Sequence, residues 1–139
     1  MPDPKRSSDD DGARAESDSL RWVALAARAA ASKTDAAKAA ESTVVLDVGD
    51  VLAVTGWFVI ASGSNTRAVR TIAEEVEEHI TAEGGPKPLR VEGLDQRRWV
   101  LLDYGDFVVH VFLDEERDYY DLERLWSDVP RVDWQALVA

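Results

Sequence analysis

The chain contains no cysteine, and its 139 residues include only two histidines and one methionine. Without thiols there is neither a disulfide nor a thiolate nucleophile, which agrees with a reducing compartment. No apolar run approaches the roughly 20 residues that a membrane span requires. The first residues are too polar for a secretory signal peptide. We therefore expect a cytoplasmic protein.

Basic residues are scarce relative to acidic ones. Lys and Arg number 16 against 27 Asp and Glu, which gives a formal net charge of −11 at pH 7. Nucleic-acid affinity comes from cations that neutralise phosphates, so we expect no direct nucleic-acid binding. A basic protein partner would be attracted by this charge, although acidity alone also keeps many proteins soluble.

The stretch Trp99–Trp126 carries the clearest pattern. Two apolar runs, Trp99–Leu102 and Phe107–Leu113, flank a Gly-containing tetrapeptide and predict a β-hairpin. Neither run alternates strictly, which is typical of strands covered on both faces, so we place the hairpin at the centre of a sheet. After the acidic link Asp114–Glu116, residues at helical spacing predict a last helix over Tyr119–Trp126.

The remaining elements complete an α/β (α+β) fold. We predict a helix from Leu20, strands over Thr43–Val48, Trp57–Ala61 and Leu89–Glu92, and an amphipathic helix that Gly84-Gly85-Pro86 ends. Residues 33–42 either continue the first helix or form a second one. Together these elements predict a mixed β-sheet of about five strands flanked by helices.

The chain divides into three predicted parts. Residues 1–18 bury too little apolar area to offset the entropy of ordering, so we expect a disordered acidic tail. Residues 19–128 form the folded domain, in which Ser19 caps the first helix. Val129-Pro130 then begins a C-terminal tail over residues 129–139.

The turn Ser62-Gly63-Ser64 is the main candidate for chemistry. A Gly/Ser turn between a strand and a helix can hold a phosphate, and nucleotidyltransferases use such a turn together with paired metal-binding acids. The candidates here, Asp103 and Asp106, lie three residues apart across a turn, whereas two acids on one strand face lie two apart. The simpler interpretation is a helix start with its capping residues.

The two histidines, His79 and His110, have no neighbours at metal-ligand spacing, so we predict no metal site. His110 lies inside an apolar strand, where its ring needs a hydrogen-bond partner. A hydrolase with His110 as base and Ser62 or Ser64 as nucleophile lacks the G-x-S-x-G turn that such enzymes use.

Aromatic residues crowd the hairpin segment. Side chains alternate along a strand, so Trp99, Leu101 and Asp103 share one face of the first hairpin strand. Aromatic residues usually pack in the core, but Trp and Tyr also dominate binding hot spots. If that face is open, Trp99 is its natural anchor for a partner.

Three parts of the chain resemble the ribosomal silencing factor family (RsfS, also called Iojap-like). The matching segments are VVLDV at Val44–Val48, FVIASGSN at Phe58–Asn65, and WVLLDYGDFVVHVF at Trp99–Phe112 followed by YYDLERLW at Tyr119–Trp126. The last pair, in that order, is the specific part of the match. The chain departs from the family pattern at Thr55-Gly56, where the family usually has Thr-Asp.

The resemblance implies a non-enzymatic bacterial factor without a cofactor, on a nucleotidyltransferase-like fold that lacks the catalytic acids. Such factors bind ribosomal protein L-fourteen of the large subunit, block subunit joining and repress translation when nutrients are short. They also form homodimers when free. With Leu101 from the same strand face, the predicted partner-binding residues are Trp99, Leu101, Asp103, Tyr104, Asp106, Tyr120, Glu123 and Trp126. The alternative function is a nucleotidyltransferase-type nucleotide-binding enzyme.

Overall fold

The computed structural model describes residues 4–34, 42–52 and 54–138, with side chains described from residue 18 onward in those ranges. The strands are β1 (Val44–Asp47), β2 (Trp57–Gly63), β3 (Arg90–Glu92), β4 (Trp99–Asp103), β5 (Phe107–Leu113) and β6 (Arg131–Val132). The helices of this part of the chain include α1 (Pro4–Ser32), α2 (Thr66–Ala82), α3 (Asp114–Tyr120), α4 (Leu122–Leu125) and α5 (Trp134–Val138). These elements confirm the predicted α+β class.

The strands form one mixed sheet in the order β3-β4-β5-β2-β1-β6. β2 and β5 run parallel, with Trp57 opposite Phe107 and Gly63 opposite Leu113. The other neighbouring pairs are antiparallel. The hairpin β4–β5 occupies the second and third positions, so its predicted place inside the sheet is confirmed. The sheet has six strands, one more than we expected.

α1 and α2 cover one face of the sheet. α1 contributes small side chains such as Ala26, Ala27 and Ala30, which let the two helices approach closely, and α2 contributes its predicted apolar stripe. The strand residues beneath the helices are Val45, Val59, Ala61, Val100, Leu102, Phe107, Val109 and Val111. The main core therefore lies between the two helices and the sheet.

The turn between β2 and α2 is tight because residue 63 is glycine. A Cβ there would lie 2.9 Å from the Cβ of Ala68, closer than side-chain carbons approach. Asn65 caps α2 by accepting a hydrogen bond from the Ala68 backbone N–H at 2.8 Å, which confirms the helix-cap interpretation of this turn. At the other end, Gly84 adopts a φ of 81°, as expected for a helix-ending glycine.

α1 begins earlier than predicted. Its backbone is helical from Pro4, a residue that suits the first helical turn because its missing N–H has no partner there. Ser19, expected as the N-cap, lies inside the helix, and its hydroxyl donates to Asp106 Oδ2 at 2.9 Å. Residues 4–18 are thus helical where we expected a disordered tail, and the domain boundary at residue 18 stays a prediction. Our prediction for residues 33–42 falls largely outside the described residues.

Residues 129–138 belong to the fold, which corrects the expectation of a C-terminal tail. β6 pairs with β1 through Val132 opposite Val45. Trp134 at the start of α5 is 8% exposed, and its indole N–H donates to the carbonyl oxygen of Thr43 at 2.9 Å. A single aromatic anchor and a two-residue strand produce no periodic pattern, so the sequence did not reveal them.

The predicted last helix is two short helices. α3 begins at Asp114, directly after β5, because the acidic link forms its first turn, where carboxylates interact favourably with the helix dipole. Asp121 then adopts a left-handed conformation with a φ of 47° and separates α3 from α4. The prediction of one continuous helix over Tyr119–Trp126 is therefore wrong.

If Trp134 anchors the C-terminal segment, Trp134→Ala should lower the free energy of unfolding by about 3–5 kcal/mol, as for other buried large side chains. Denaturant unfolding followed by circular dichroism measures this loss. Gln135→Ala, at the exposed neighbouring position, is the matched control and should change stability by less than about 0.5 kcal/mol. Equal stability of the two variants would show that the segment behaves as a tail.

Candidate partner-binding surface

The sheet face opposite α1 and α2 carries a cluster of aromatic rings. Strand pairing brings Trp99 opposite Phe112 and places Phe58 and His110 on the same face. Tyr120 at the end of α3 and Trp126 directly after α4 then add two further rings. The aromatic cluster consists of Phe58, Trp99, His110, Phe112, Tyr120 and Trp126.

Ring contacts connect the members of the aromatic cluster. The Trp99 ring centroid lies 4.8 Å from that of Phe112 and 4.8 Å from that of Tyr120. Phe58 packs edge-to-face at 5.6 Å from Trp126. Neither α3 nor α4 has a fully buried side chain, so these stacks, each worth about 0.5–1.5 kcal/mol beyond its buried area, attach the two helices to the sheet.

His110 lies inside the aromatic cluster and is 5% exposed. The indole N–H of Trp99 donates to His110 Nδ1 at 3.1 Å. Trp99 is therefore the hydrogen-bond partner that we expected this buried histidine to need. Leu101, which is half-buried, pairs with His110 across the hairpin. Burial in this apolar site disfavours the charged ring and lowers the pKa of His110 to about 4. His110 is therefore neutral at physiological pH.

The outer side of α3 and α4 combines apolar and acidic groups. Tyr119 is 81% exposed, Leu125 74% and Tyr120 46%. Glu115 and Asp118 are exposed on α3, the helix that carries both tyrosines. Exposed aromatic rings with carboxylates around them are the chemistry that a basic protein surface can bind.

Arg117 fixes α3 and α4 to the end of β2. Its Nη1 donates to Ser62 Oγ at 2.9 Å, and its Nε donates to Glu123 Oε1 at 2.8 Å. Glu123 also lies 3.9 Å from Arg131 on β6. Glu123 thus forms ion pairs within the protein. Its contact with a partner stays a prediction.

The acidic residues of the hairpin also have partners inside the protein. Asp103 forms an ion pair with Arg90 at 3.1 Å, and its other oxygen accepts the Gly105 N–H at 2.9 Å. Asp106 is exposed and accepts the hydrogen bond from α1 described above. Asp103 therefore shapes the hairpin turn, and Asp106 connects the turn to α1.

Tyr104 lies on the helix side of the sheet, which corrects its expected place at the hairpin surface. It is 7% exposed and stacks on Phe107 at 4.6 Å. Burial raises the pKa of Tyr104, and the negative charge of Glu77 on α2 raises it further by a smaller amount. Its position continues the buried alternation of Val100 and Leu102, a signal that was already present in the sequence.

The Ser62-Gly63-Ser64 turn and the candidate catalytic acids lie at opposite ends of the sheet. Asp106 precedes Phe107, which pairs with Trp57, whereas Ser62 pairs with Phe112. Five residues of strand separate the two levels, or about 16 Å. Asp103 and Asp106 therefore do not face the turn, as the nucleotidyltransferase hypothesis would require.

An open cleft of about 400 Å³ does lie beside this turn, with Asp114, Arg117 and Asp118 in its wall. Arg117 already binds Ser62 there. In the part of the chain that the structure describes, no three His, Cys, Asp or Glu side chains are grouped to hold a metal ion.

Four residues of the aromatic cluster and its support were not among the predicted partner-binding residues: Phe58, His110, Phe112 and Arg117. Phe58 lies two residues before Ile60 on β2 and therefore shares its face of the sheet, so the strand pattern already indicated the position of Phe58. Arg117 contacts Ser62 across 55 positions of sequence, and no local pattern indicates such a contact.

The fold and surface define an α+β protein that presents aromatic and acidic side chains on one face of a mixed sheet. None of the described helices combines the length and apolar character that a membrane span requires. Residues 17–139 match the family model described as ribosomal silencing factor during starvation. The chain belongs to this family.

Individual proteins agree with the family match. The chain is 43% identical over 96 residues to the ribosomal silencing factor RsfS of Bacillus subtilis, covering 69% of this chain and 80% of that protein. It is 40% identical over 102 residues to RsfS of Halalkalibacterium halodurans, covering 73% and 86% respectively. A crystal structure of a Chromobacterium violaceum protein is similar with a TM-score of 0.64 at 33% identity, covering 74% of this chain and 81% of that one.

Acid should destabilise the protein through His110. The unfolded chain binds a proton near pH 6.5, whereas the folded chain does so near pH 4. Stability is therefore full above pH 6.5 and falls by about 3 kcal/mol on the way to pH 4. Urea unfolding across this pH range should show a smaller loss of unfolding free energy for His110→Leu than for the wild type, because His110→Leu lacks the titrating group. Parallel pH profiles of the two proteins would contradict the burial of a neutral His110.

Proposed function

We propose that this protein is a ribosomal silencing factor that binds the large ribosomal subunit through ribosomal protein L-fourteen. Bound there, it prevents the small subunit from joining and represses translation when nutrients are short. The family description and the names of the relatives support this role. The observation that carries it is the exposed aromatic and acidic surface, which the two C-terminal motifs of the family resemblance form on one sheet face.

The chemistry of this surface fits a basic ribosomal protein. The Tyr120 ring is 46% exposed and is supported from behind by Trp99, so it can bury area in a complex at little entropic cost. Glu115 and Asp118, which are exposed on the same helix, together with the net charge of −11 on the whole chain, attract a cationic partner and speed the encounter. Trp99 is thus the support of the surface, and Tyr120 its exposed anchor.

The proposal includes no catalysis and no cofactor. The candidate acids Asp103 and Asp106 lie at the far end of the sheet from the Ser62-Gly63-Ser64 turn. The Ser62 hydroxyl already accepts a hydrogen bond from Arg117. We further propose that the protein acts in the cytoplasm and self-associates when it is free of the ribosome.

Tyr120→Ala should weaken binding to purified large subunits by about thirtyfold or more, the loss expected for a hot-spot aromatic of at least 2 kcal/mol. The measurement is sedimentation of the protein with large subunits through a sucrose gradient, followed by the fraction of joined ribosomes after small subunits are added. The substituted protein should also permit subunit joining.

Leu137→Ala is the matched control, since Leu137 is 49% exposed on α5 and lies outside the proposed surface. It should bind as the wild type does. Thermal unfolding of both variants shows whether a loss of binding reflects loss of fold. Unchanged binding by a folded Tyr120→Ala protein would place the contact elsewhere.

The nucleotide-binding alternative has a direct test. Titration calorimetry of the protein with a nucleoside triphosphate and Mg²⁺ should give no heat of specific binding, because Arg117 already binds Ser62 and the carboxylates of Asp114 and Asp118 in the cleft wall repel phosphate groups. Binding in the micromolar range that Ser62→Ala abolishes would support the enzyme and overturn the proposal.

A further inference from the structure

We infer that His110 is a positioning residue: it holds Trp99 in the one orientation that supports Tyr120 as the anchor for the large subunit. The inference rests on the proposed function and names the residue on which its surface depends. Two successive contacts carry it, the first between His110 and Trp99 and the second between Trp99 and Tyr120.

The first contact fixes the tautomer of His110. An indole N–H only donates, so His110 Nδ1, which lies 3.1 Å from Trp99 Nε1, must be the acceptor. The ring proton of neutral His110 is therefore on Nε2. Phe58, edge-to-face at 4.7 Å, and Phe112, stacked at 6.1 Å, confine the imidazole ring.

The second observation is the cost of this arrangement. Among the residues that the structure describes, none accepts a hydrogen bond from His110 Nε2, which is buried. A buried donor without a partner lowers stability, and the neighbouring positions of β5 that face α1 and α2, Val109 and Val111, are apolar. A residue serving stability alone would be apolar here too, so the imidazole has another use.

That use is the orientation of Trp99. The second side-chain torsion of Trp is broad and roughly two-fold, so packing against Phe112 alone permits two placements of the indole ring. The hydrogen bond to His110 selects one of them. Tyr120 lies 4.8 Å from the indole at an interplanar angle of 46°, so the placement of the indole sets the placement of the exposed tyrosine.

Two substitutions separate positioning from stability. His110→Leu removes the acceptor and supplies an apolar side chain that suits the site. His110→Asn keeps an acceptor oxygen close to the position of Nδ1 but leaves a void and a buried amide. We expect His110→Leu to melt at the higher temperature of the two and to bind large subunits about tenfold more weakly than wild type. His110→Asn should melt lower and bind within about threefold of wild type.

A second measurement needs no ribosome. In the free protein, the indole N–H resonance of Trp99, assigned with Trp99→Phe, should shift in His110→Leu and stay close to its wild-type position in His110→Asn. Binding that follows the order of melting temperatures, or an indole resonance that His110→Leu leaves unmoved, would overturn the inference. If the wild type itself failed to bind large subunits, the proposed function would fall and His110 would lose its role in binding, while the resonance would still report on the hydrogen bond.

Discussion

The register of β5 between β2 and β4 determines which side chains meet on each face of the sheet. β5 pairs in parallel with β2 and antiparallel with β4. Alternation then directs Phe107, Val109 and Val111 toward α1 and α2 and leaves His110 and Phe112 on the opposite face. A slip of one residue would exchange the two sets and bring the imidazole into the main core. Both the packing of the helices and the aromatic cluster therefore depend on this one pairing.

The two faces are covered in different ways, and the difference determines where aromatic side chains stay exposed. Two long helices seal one face with fully buried aliphatic side chains. The other is covered by α3 and α4, which bury no side chain completely and are held by aromatic stacks and by Arg117. Helices too short to bury an apolar face leave part of their aromatic surface exposed. This is the physical origin of the exposed Tyr119 and Tyr120 above a half-buried Trp99 and a buried His110.

Patterns that repeat along the chain predicted the fold well, and isolated contacts were missed. The hairpin, the α2 stripe and its caps all follow from periodicity and turn chemistry. Tyr104 was misplaced although the alternation of Val100 and Leu102 indicated its side of the sheet. Trp134 and Arg117 were missed for a different reason, because each acts through one contact with a residue far away in sequence. Such contacts exist only once the chain has folded.

The Ser62-Gly63-Ser64 turn has the sequence of a phosphate-binding turn but serves a structural purpose here. A Cβ at residue 63 would collide with Ala68, so the glycine is needed for the close approach of β2 and α2. The Ser62 hydroxyl, which a phosphate would otherwise contact, accepts a hydrogen bond from Arg117. The same turn thus connects the sheet to α3, the helix that carries Tyr119 and Tyr120. In this protein the strand–turn–helix unit therefore positions α3, because Gly63 keeps the turn tight and the neighbouring Ser62 holds Arg117 of that helix.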